Sequence, residues 1–170
     1  CVSNEVGGHL VGNAVWTGVP LLDLLGLAGI SSDAEQVMGR SVDGFNAGFP
    51  LHVLGADRTA LVAVGMNGEP LPFRHGFPAR LVVAGIYGYV SAVKWLDRIS
   101  LTTMDEDGYW IPRGWAKEAP IKIASRIDVP LRSQVPAGLH AVAGVAWAPT
   151  AGVEAVELQV DDGPWTECRL

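Results

Sequence analysis

Cationic side chains cluster around a proline- and glycine-rich stretch, PLPFRHGFPARLVV, at residues 70–83. Its prolines exclude a regular helix, because each fixes φ and lacks an N–H donor. The stretch therefore predicts a shaped loop in front of a strand, presenting Arg74, His75 and Arg80. Three such groups can hold an anion, or they can be ordinary surface charges.

The chain contains two cysteines, Cys1 and Cys168. A disulfide could join them, but no spacing supports it, and no zinc-type cluster of ligands exists. Cys168 alternates with polar residues in WTECRL, which predicts a half-buried strand thiol. The position of Cys1 is typical of the acylated first residue of a mature lipoprotein, and an inert thiol is the alternative.

Composition bounds the class of protein. The 170 residues suit one domain, or one and part of another. A hydrophobic content of 49% predicts a folded core. The net charge of −6 argues against nucleic-acid binding. No apolar run reaches the roughly 20 residues of a membrane span, and no signal peptide is evident.

The spacing of hydrophobic residues predicts the helices and strands that position the cationic and cysteine residues. GVPLLDLLGLAGIS predicts a helix that begins near Leu21 and ends at Gly29. TALVAVGM and RLVVAGI predict buried strands, whereas VSAVKWLDRISLT fits a short helix or a strand. Before the helix, an irregular segment is predicted, with Val15 and Trp16 packing inward.

The sequence changes character after residue 111. Residues 112–138 are proline-punctuated and predict a linker. Residues 139–170 then alternate as VELQV and turn at DDG, the pattern of an antiparallel hairpin. These strands are too few to close a sandwich, which predicts an incomplete module.

Several motifs together resemble the sulfite oxidase family of molybdenum-cofactor (molybdopterin) oxidoreductases. They are CVSN, VWTGVPLLDLL, VGMNGEPLPFRHGFPARLVVAGIYG and VKWLDRI, and SRIDVP, VAGVAWA and VELQVDDGPW resemble the family's Ig-like dimerisation domain. The resemblance implies an α+β fold. Residues 1–111 would form part of a molybdopterin-binding domain, a mixed sheet with short helices, and residues 139–170 would begin an Ig-like β-sandwich.

The resemblance implies which residues bind the cofactor. His75 and Arg80 of the HGFPxR motif, with Lys94 of KWL, would bind the pterin and its phosphate, as arginine's planar fork of donors suits phosphate. Ser41 and Asp43 in RSVDGF would bond to the pterin ring, or simply form a turn.

Cys1 acquires a third interpretation from the family's C-x-x-N motif. Its thiolate would bind molybdenum, because a soft thiolate suits a metal that already has sulfur ligands. Asn4 would brace the loop after this ligand.

One departure from the family bears on the substrate. Sulfite-oxidising members carry an arginine five residues after the cysteine, where this chain has Val6. The resemblance therefore implies two-electron oxo transfer on a small substrate, with a neutral sulfoxide favoured over sulfite. Tyr109, Trp110 and Arg113 would line the substrate pocket, or the two aromatic rings would only be packing anchors.

The resemblance further implies an extracytoplasmic, membrane-attached bacterial enzyme of which this chain is an internal, soluble fragment. Membrane contact would come only through segments outside it. A homodimer could form through the Ig-like domain, and the electron partner is not identified. The competing hypothesis is a non-catalytic fragment or extracytoplasmic interaction module, lipidated at Cys1.

Overall fold

The computed structural model describes residues 1–5, 8–55, 59–131, 134–149 and 151–170. The chain divides into two compact units. The N-terminal unit comprises Cys1–Val2 and Val11–Pro120, and the C-terminal unit comprises Ser3–Leu10 and Ile121–Leu170. Cys1 and Cys168 are not joined by a disulfide.

The N-terminal unit combines short strands with two short helices. Its strands are β1 Trp16–Pro20, β2 Gln36–Ser41, β3 Asn46–Pro50, β4 Ala60–Met66, β5 Glu69–Pro70, β6 Arg80–Val83 and β7 Leu96–Thr102. Its α-helices are α1 Leu21–Ala28 and α2 Gly88–Ser91, and 3₁₀ turns span Leu51–Val53, Phe73–His75 and Ile111–Arg113.

Helix α1 forms where the leucine periodicity predicts it. Leu21 and Leu25, four residues apart, are buried on the same face. The helix ends where Gly29 takes a φ of +85°, a conformation that glycine adopts at no steric cost.

Two antiparallel sheets build the N-terminal unit. In the first, β4 pairs with β1 on one side and with β5 and β6 on the other. In the second, β2 lies between β3 and β7. The buried core draws on both sheets and on the region of α2, and it includes Val37, Phe49, Leu81, Val90 and Val93. The predicted strands in TALVAVGM and RLVVAGI are thereby confirmed.

The ambiguous segment VSAVKWLDRISLT contains both alternatives in succession. It holds the end of α2 and all of β7, separated by the residues around Lys94 and Trp95. The helix ends at Ser91, because Ala92 takes a ψ of 78°, and Trp95 with a φ of +49° then leads into the strand. This break brings Lys94 to the surface between the two elements.

The segment before α1 departs from its prediction. Trp16 is half-buried in β1, but the side chain of Val15 is 71% exposed, so its inward packing was wrongly predicted. Strand alternation explains the difference, because neighbouring side chains point to opposite faces.

The C-terminal unit contains two antiparallel pairs. Strand β8 Ala124–Val129 pairs with β9 Ala143–Trp147, and β10 Glu157–Leu158 pairs with β11 Thr166–Glu167 across the DDG turn. The predicted hairpin is thus present. Strand β8 lies within residues 112–138, which were predicted as a linker. Its six residues alternate between partly buried and exposed, but the prolines around them drew attention away from this pattern.

Among the residues that the structure describes, none belongs to a helix with the length and apolar character that crossing a membrane would need.

Candidate functional site

A glycine shapes the loop that carries the predicted cofactor-binding residues. After Pro72, residues Phe73–His75 form a 3₁₀ turn, which ends where the Gly76 N–H donates to the Phe73 carbonyl. Gly76 has a φ of +110°, and a Cβ there would lie 2.9 Å from Lys94 Cβ. Only glycine meets both constraints without displacing Lys94.

The segment before β7 holds this loop through its backbone. The Trp95 N–H donates to the Gly76 carbonyl at 3.2 Å, and the Leu96 N–H donates to the Ala79 carbonyl at 2.9 Å. The Trp95 indole N–H also donates to the Phe73 carbonyl at 2.8 Å. Residues far apart in sequence are thereby fixed as one surface.

Arg80 is the best-supported cation of the loop. Its Nη1 donates to the His75 carbonyl at 3.1 Å, and its guanidinium carbon lies 4.9 Å from the centroid of the Trp16 ring. Burial lowers the pKa of Arg80 from its usual value. Arginine nevertheless keeps its charge at neutral pH, because its ordinary pKa is so high. Arg80 is thus a fixed, half-buried cation with N–H donors to spare.

Lys94 binds the carbonyl of Arg74, which precedes the His75 carbonyl that Arg80 binds. Its Nζ donates to the Arg74 carbonyl at 3.1 Å and lies 4.3 Å from the centroid of the Trp95 ring. Consecutive carbonyls of the loop, those of Arg74 and His75, thus accept from two cations. The half-buried His75 ring makes no hydrogen bond to the part of the chain that the structure describes. The structure therefore brings His75, Arg80 and Lys94 together.

The Ser41–Phe45 turn lies beside the loop of residues 73–80, here called the cationic loop. The Val42 N–H donates to the Trp95 carbonyl at 3.1 Å. Within the turn, the Phe45 N–H donates to Asp43 Oδ1 at 3.0 Å. That bond, a further one with Ser41 and, to a smaller extent, the charge of Lys94 lower the pKa of Asp43. Ser41 and Asp43 therefore lie in a turn beside the loop, and their predicted bonds to the pterin ring stay a prediction.

The predicted pocket residues form an aromatic cluster. The Arg113 guanidinium carbon lies 3.7 Å from the centroid of the Tyr109 ring, and the Tyr109 and Trp110 rings are 5.1 Å apart. In the same cluster, the Trp110 ring packs against Trp115, and the Tyr109 ring packs against Phe45. Phe45 thus connects the aromatic cluster to the Ser41–Phe45 turn. Both proposed roles, pocket lining and packing, are compatible with this geometry.

The other predicted residues lie in the first segment of the chain. Cys1 is solvent-exposed. Asn4 Oδ1 accepts from the Leu10 N–H at 2.7 Å, which braces the segment. Val6 lies outside the described residues, and the convergence of Cys1 with the cationic loop stays a prediction. Within the described ranges, no three His, Cys, Asp or Glu side chains form a metal-binding group.

Trp16 and the Trp95 indole were not predicted as site residues. Trp16 is 64 positions from Arg80, so its contact depends on the pairing of β1 with β4 and of β4 with β6. The only available signal was the presence of tryptophans in VWTG and KWL beside basic motifs.

A cavity of about 170 Å³ lies elsewhere in the N-terminal unit. It is lined by Phe49, Pro50, His52, Val53, Ile86, Val90 and residues 117–120. None of the predicted site residues lines it.

Known proteins are similar to this chain. The model of the family "Oxidoreductase molybdopterin binding domain" matches residues 1–110. Mitochondrial sulfite oxidase of Mus musculus is 30% identical over 189 residues, which cover 94% of this chain and 34% of the mouse protein. The oxidoreductase YuiH of Bacillus subtilis (strain 168) is 38% identical over 101 residues, covering 59% of this chain and 50% of that protein.

A solved structure supports the fold. The sulfane dehydrogenase SoxCD from Paracoccus pantotrophus superposes with a TM-score of 0.70 at 28% identity, covering 89% of this chain and 42% of that chain. This likeness confirms the predicted α+β fold, whereas the Ig-like character of residues 139–170 stays a prediction. The chain spans about a third to a half of the length of these relatives.

Proposed function

Because the chain belongs to the oxidoreductase family with a molybdopterin-binding domain, we propose that it forms the cofactor-binding part of an enzyme for two-electron oxo transfer on a small substrate. The cofactor of this family is molybdenum bound by molybdopterin. The observation that carries the proposal is the pair of cations at this loop, since Arg80 and Lys94 donate to the consecutive carbonyls of His75 and Arg74.

The chemistry of the loop suits the phosphate of the cofactor. Arg80 is fixed by a carbonyl and an aromatic ring, so little rotamer freedom remains to be lost when a phosphate binds. Lys94 has three N–H donors and uses one on the Arg74 carbonyl. Both cations therefore retain donors for an anion.

The remaining assignments extend from this loop. The His75 ring would donate to the pterin or its phosphate, and Ser41 and Asp43 would bond to the ring nitrogens of the pterin. The Cys1 thiolate would be the protein ligand of molybdenum. When bound, the cofactor supplies the two-electron redox chemistry, while these residues bind and orient it.

We propose that the substrate is a neutral sulfoxide or a similar small molecule rather than sulfite. Mouse sulfite oxidase acts, by its name, on sulfite, but this chain has Val6 where the family resemblance expects an arginine. A valine offers no charge to an anion, and the loss of a charge-assisted hydrogen bond costs about 1.5–3 kcal/mol. Tyr109, Trp110 and Arg113 would then line the pocket.

Metal and pterin analysis of the protein tests this function. We expect about one molybdenum and one pterin per chain in protein purified from its native host. Cys1→Ser should remove the thiolate contribution to the optical spectrum of the bound metal. Cys168→Ser is the matched control and should leave the spectrum unchanged. Protein free of molybdenum and pterin would instead support the non-catalytic interaction module.

The finer assignments come from the family resemblance. We propose an extracytoplasmic bacterial enzyme attached to its membrane through other segments, with a homodimer formed by the C-terminal unit. Apolar side chains on its first strand pair support the dimer, since Ile127 is 52% and Val145 is 40% exposed. Sedimentation of the protein and of an Ile127→Glu variant tests it, and a monomeric wild type would refute it.

A further inference from the structure

The cavity of the N-terminal unit has an apolar floor. It lies between the end of β3, the 3₁₀ turn that follows it, α2 and residues 117–120. Its lining includes Phe49, Ile86, Val90 and Ala119, each at most 6% exposed. Such side chains offer water no hydrogen-bond partners, so an apolar group suits the floor better than water does.

Hydrogen bonds hold one wall of this cavity in place. The Tyr87 N–H donates to the Ala119 carbonyl at 2.7 Å. The Tyr89 hydroxyl donates to the Ala116 carbonyl at 2.9 Å. Residues 117–120 are therefore fixed beside α2 without a ligand. A preformed pocket of this kind loses little conformational entropy when it binds one.

The volume of the cavity limits the size of its occupant. The cavity measures about 170 Å³, close to the roughly 150 Å³ of an apolar protein cavity that binds benzene. Pockets for drug-sized ligands begin at about 300 Å³. The apolar part of a ligand for this cavity is therefore about as large as one benzene ring.

The mouth of the cavity carries an acidic side chain without a partner. Three lining residues are ionisable, the exposed His52 and Glu118 and the half-buried Lys117. Lys117 Nζ pairs with Asp107 at 2.8 Å and donates to two backbone carbonyls, which occupies its three N–H groups. Within the described part of the chain, neither the Glu118 carboxylate nor the His52 ring has a hydrogen-bond partner. The charge available to a ligand is therefore negative.

We propose that this cavity binds a small organic amine whose apolar body is about one ring in size. The ring lies on Phe49 and Val90, and the ammonium group donates to the Glu118 carboxylate and to an imidazole nitrogen of His52. An anionic head group is repelled by Glu118, and Lys117 has no donor left to hold it. The proposal does not depend on the proposed function, because no residue of the cationic loop lines the cavity.

Titration of the full chain with benzylamine, followed by methyl NMR, tests the proposal. We expect the methyl signals of Val53, Ile86 and Val90 to shift, with a dissociation constant on the order of 1 mM for so small a ligand. Toluene lacks the charged head, and benzoate carries an anion instead. Both should bind about tenfold more weakly or worse, because neither forms the charge-assisted bond to Glu118.

Two variants distinguish the mouth of the cavity from its apolar interior. Glu118→Gln should weaken benzylamine binding about tenfold and leave toluene binding unchanged, since it removes only the charge. Val53→Phe should prevent both from binding, because the larger side chain fills the cavity. Glu154→Gln is the matched control, since it changes an exposed carboxylate of the C-terminal unit and should alter neither affinity.

Three results would overturn the proposal. One is the absence of methyl shifts at the cavity when benzylamine is added to the folded wild-type chain. Another is equal affinity for benzylamine and benzoate or toluene, which would make the cavity a simple apolar void. The third is benzylamine binding that Glu118→Gln does not weaken. Glu118 is exposed, so this variant remains informative even if Val53→Phe fails to fold.

Discussion

Arg80 and Trp16 are stacked, with the guanidinium carbon 4.9 Å from the centroid of the indole ring. The pair joins β1, an edge strand of the first sheet, to the start of β6, where Arg80 also donates to the His75 carbonyl. A cation over an aromatic face gains about 0.5–2 kcal/mol, depending on how far it is desolvated. The stack therefore restricts the rotamers of the Arg80 side chain.

Arg80→Ala should lower the pterin and molybdenum content of the purified protein about 10- to 100-fold, because a charge-assisted bond to phosphate is worth about 1.5–3 kcal/mol. Quantification of metal and pterin per chain checks this. Arg74→Ala is the matched control, since the contact at residue 74 is made by the backbone carbonyl. Equal loss in both variants would contradict a specific role for Arg80.

Trp16→Leu should weaken cofactor retention by a smaller factor, about 2- to 10-fold, because Arg80 keeps its charge but loses its aromatic support. Trp16→Phe should retain part of the effect. The rate of cofactor loss during dialysis is the measurement, and Trp165→Leu, which alters an exposed tryptophan of the C-terminal unit, is the control. A Trp16→Leu variant that loses cofactor as slowly as wild type would show that the stack is not used.

Gly76→Ala should destabilise the protein by about 1–3 kcal/mol, since the new Cβ would sit in a left-handed conformation and against Lys94. Denaturant unfolding measures the change. Gly26→Ala is the control, because a Cβ there meets nothing within 4 Å and lies inside α1. Alanine favours a helix interior, so this control should be neutral or stabilising. Similar losses in both variants would mean that the loop tolerates a side chain.

Val6→Arg should increase sulfite turnover, because it restores the cation that the family resemblance expects at this position. The expected gain in kcat/KM for sulfite is about 10- to 100-fold, the equivalent of one charge-assisted bond. Steady-state assays with sulfite and a panel of sulfoxides check it, with Val6→Gln as a polar control without charge. Efficient sulfite turnover by the wild type would show that another cation already serves the substrate.

Local sequence signals predicted the local features of the fold. The leucine spacing of α1, its end at Gly29 and the proline-rich loop all act over a few residues. These predictions succeeded because chain stereochemistry and short motifs determine them. The family motifs also named His75, Arg80 and Lys94, which lie close together in the structure, while their role toward the cofactor stays a prediction.

Features that depend on distant contacts were not predicted. The Trp16–Arg80 stack requires two strand pairings, and the inward direction of Arg126 in β8 reverses the usual hydrophobic pattern. Val15 was placed inward because its type suggested burial, but its position in the alternation decided otherwise. In each case a tertiary arrangement overrides the residue's own tendency.

Within the C-terminal unit, Arg126 Nη2 donates to the Gly8 carbonyl at 3.4 Å, and this contact sets an order of events during synthesis. Its two partners are 118 positions apart, so the ribosome must add more than a hundred residues before the contact can form. At about 5–20 residues per second, this delay is about 6–24 s. The residues that complete the core of the N-terminal unit emerge earlier, since none lies beyond Ala119. The segment around Gly8 is therefore made before the core of the N-terminal unit, and Arg126 can hold it only after that core has left the ribosome.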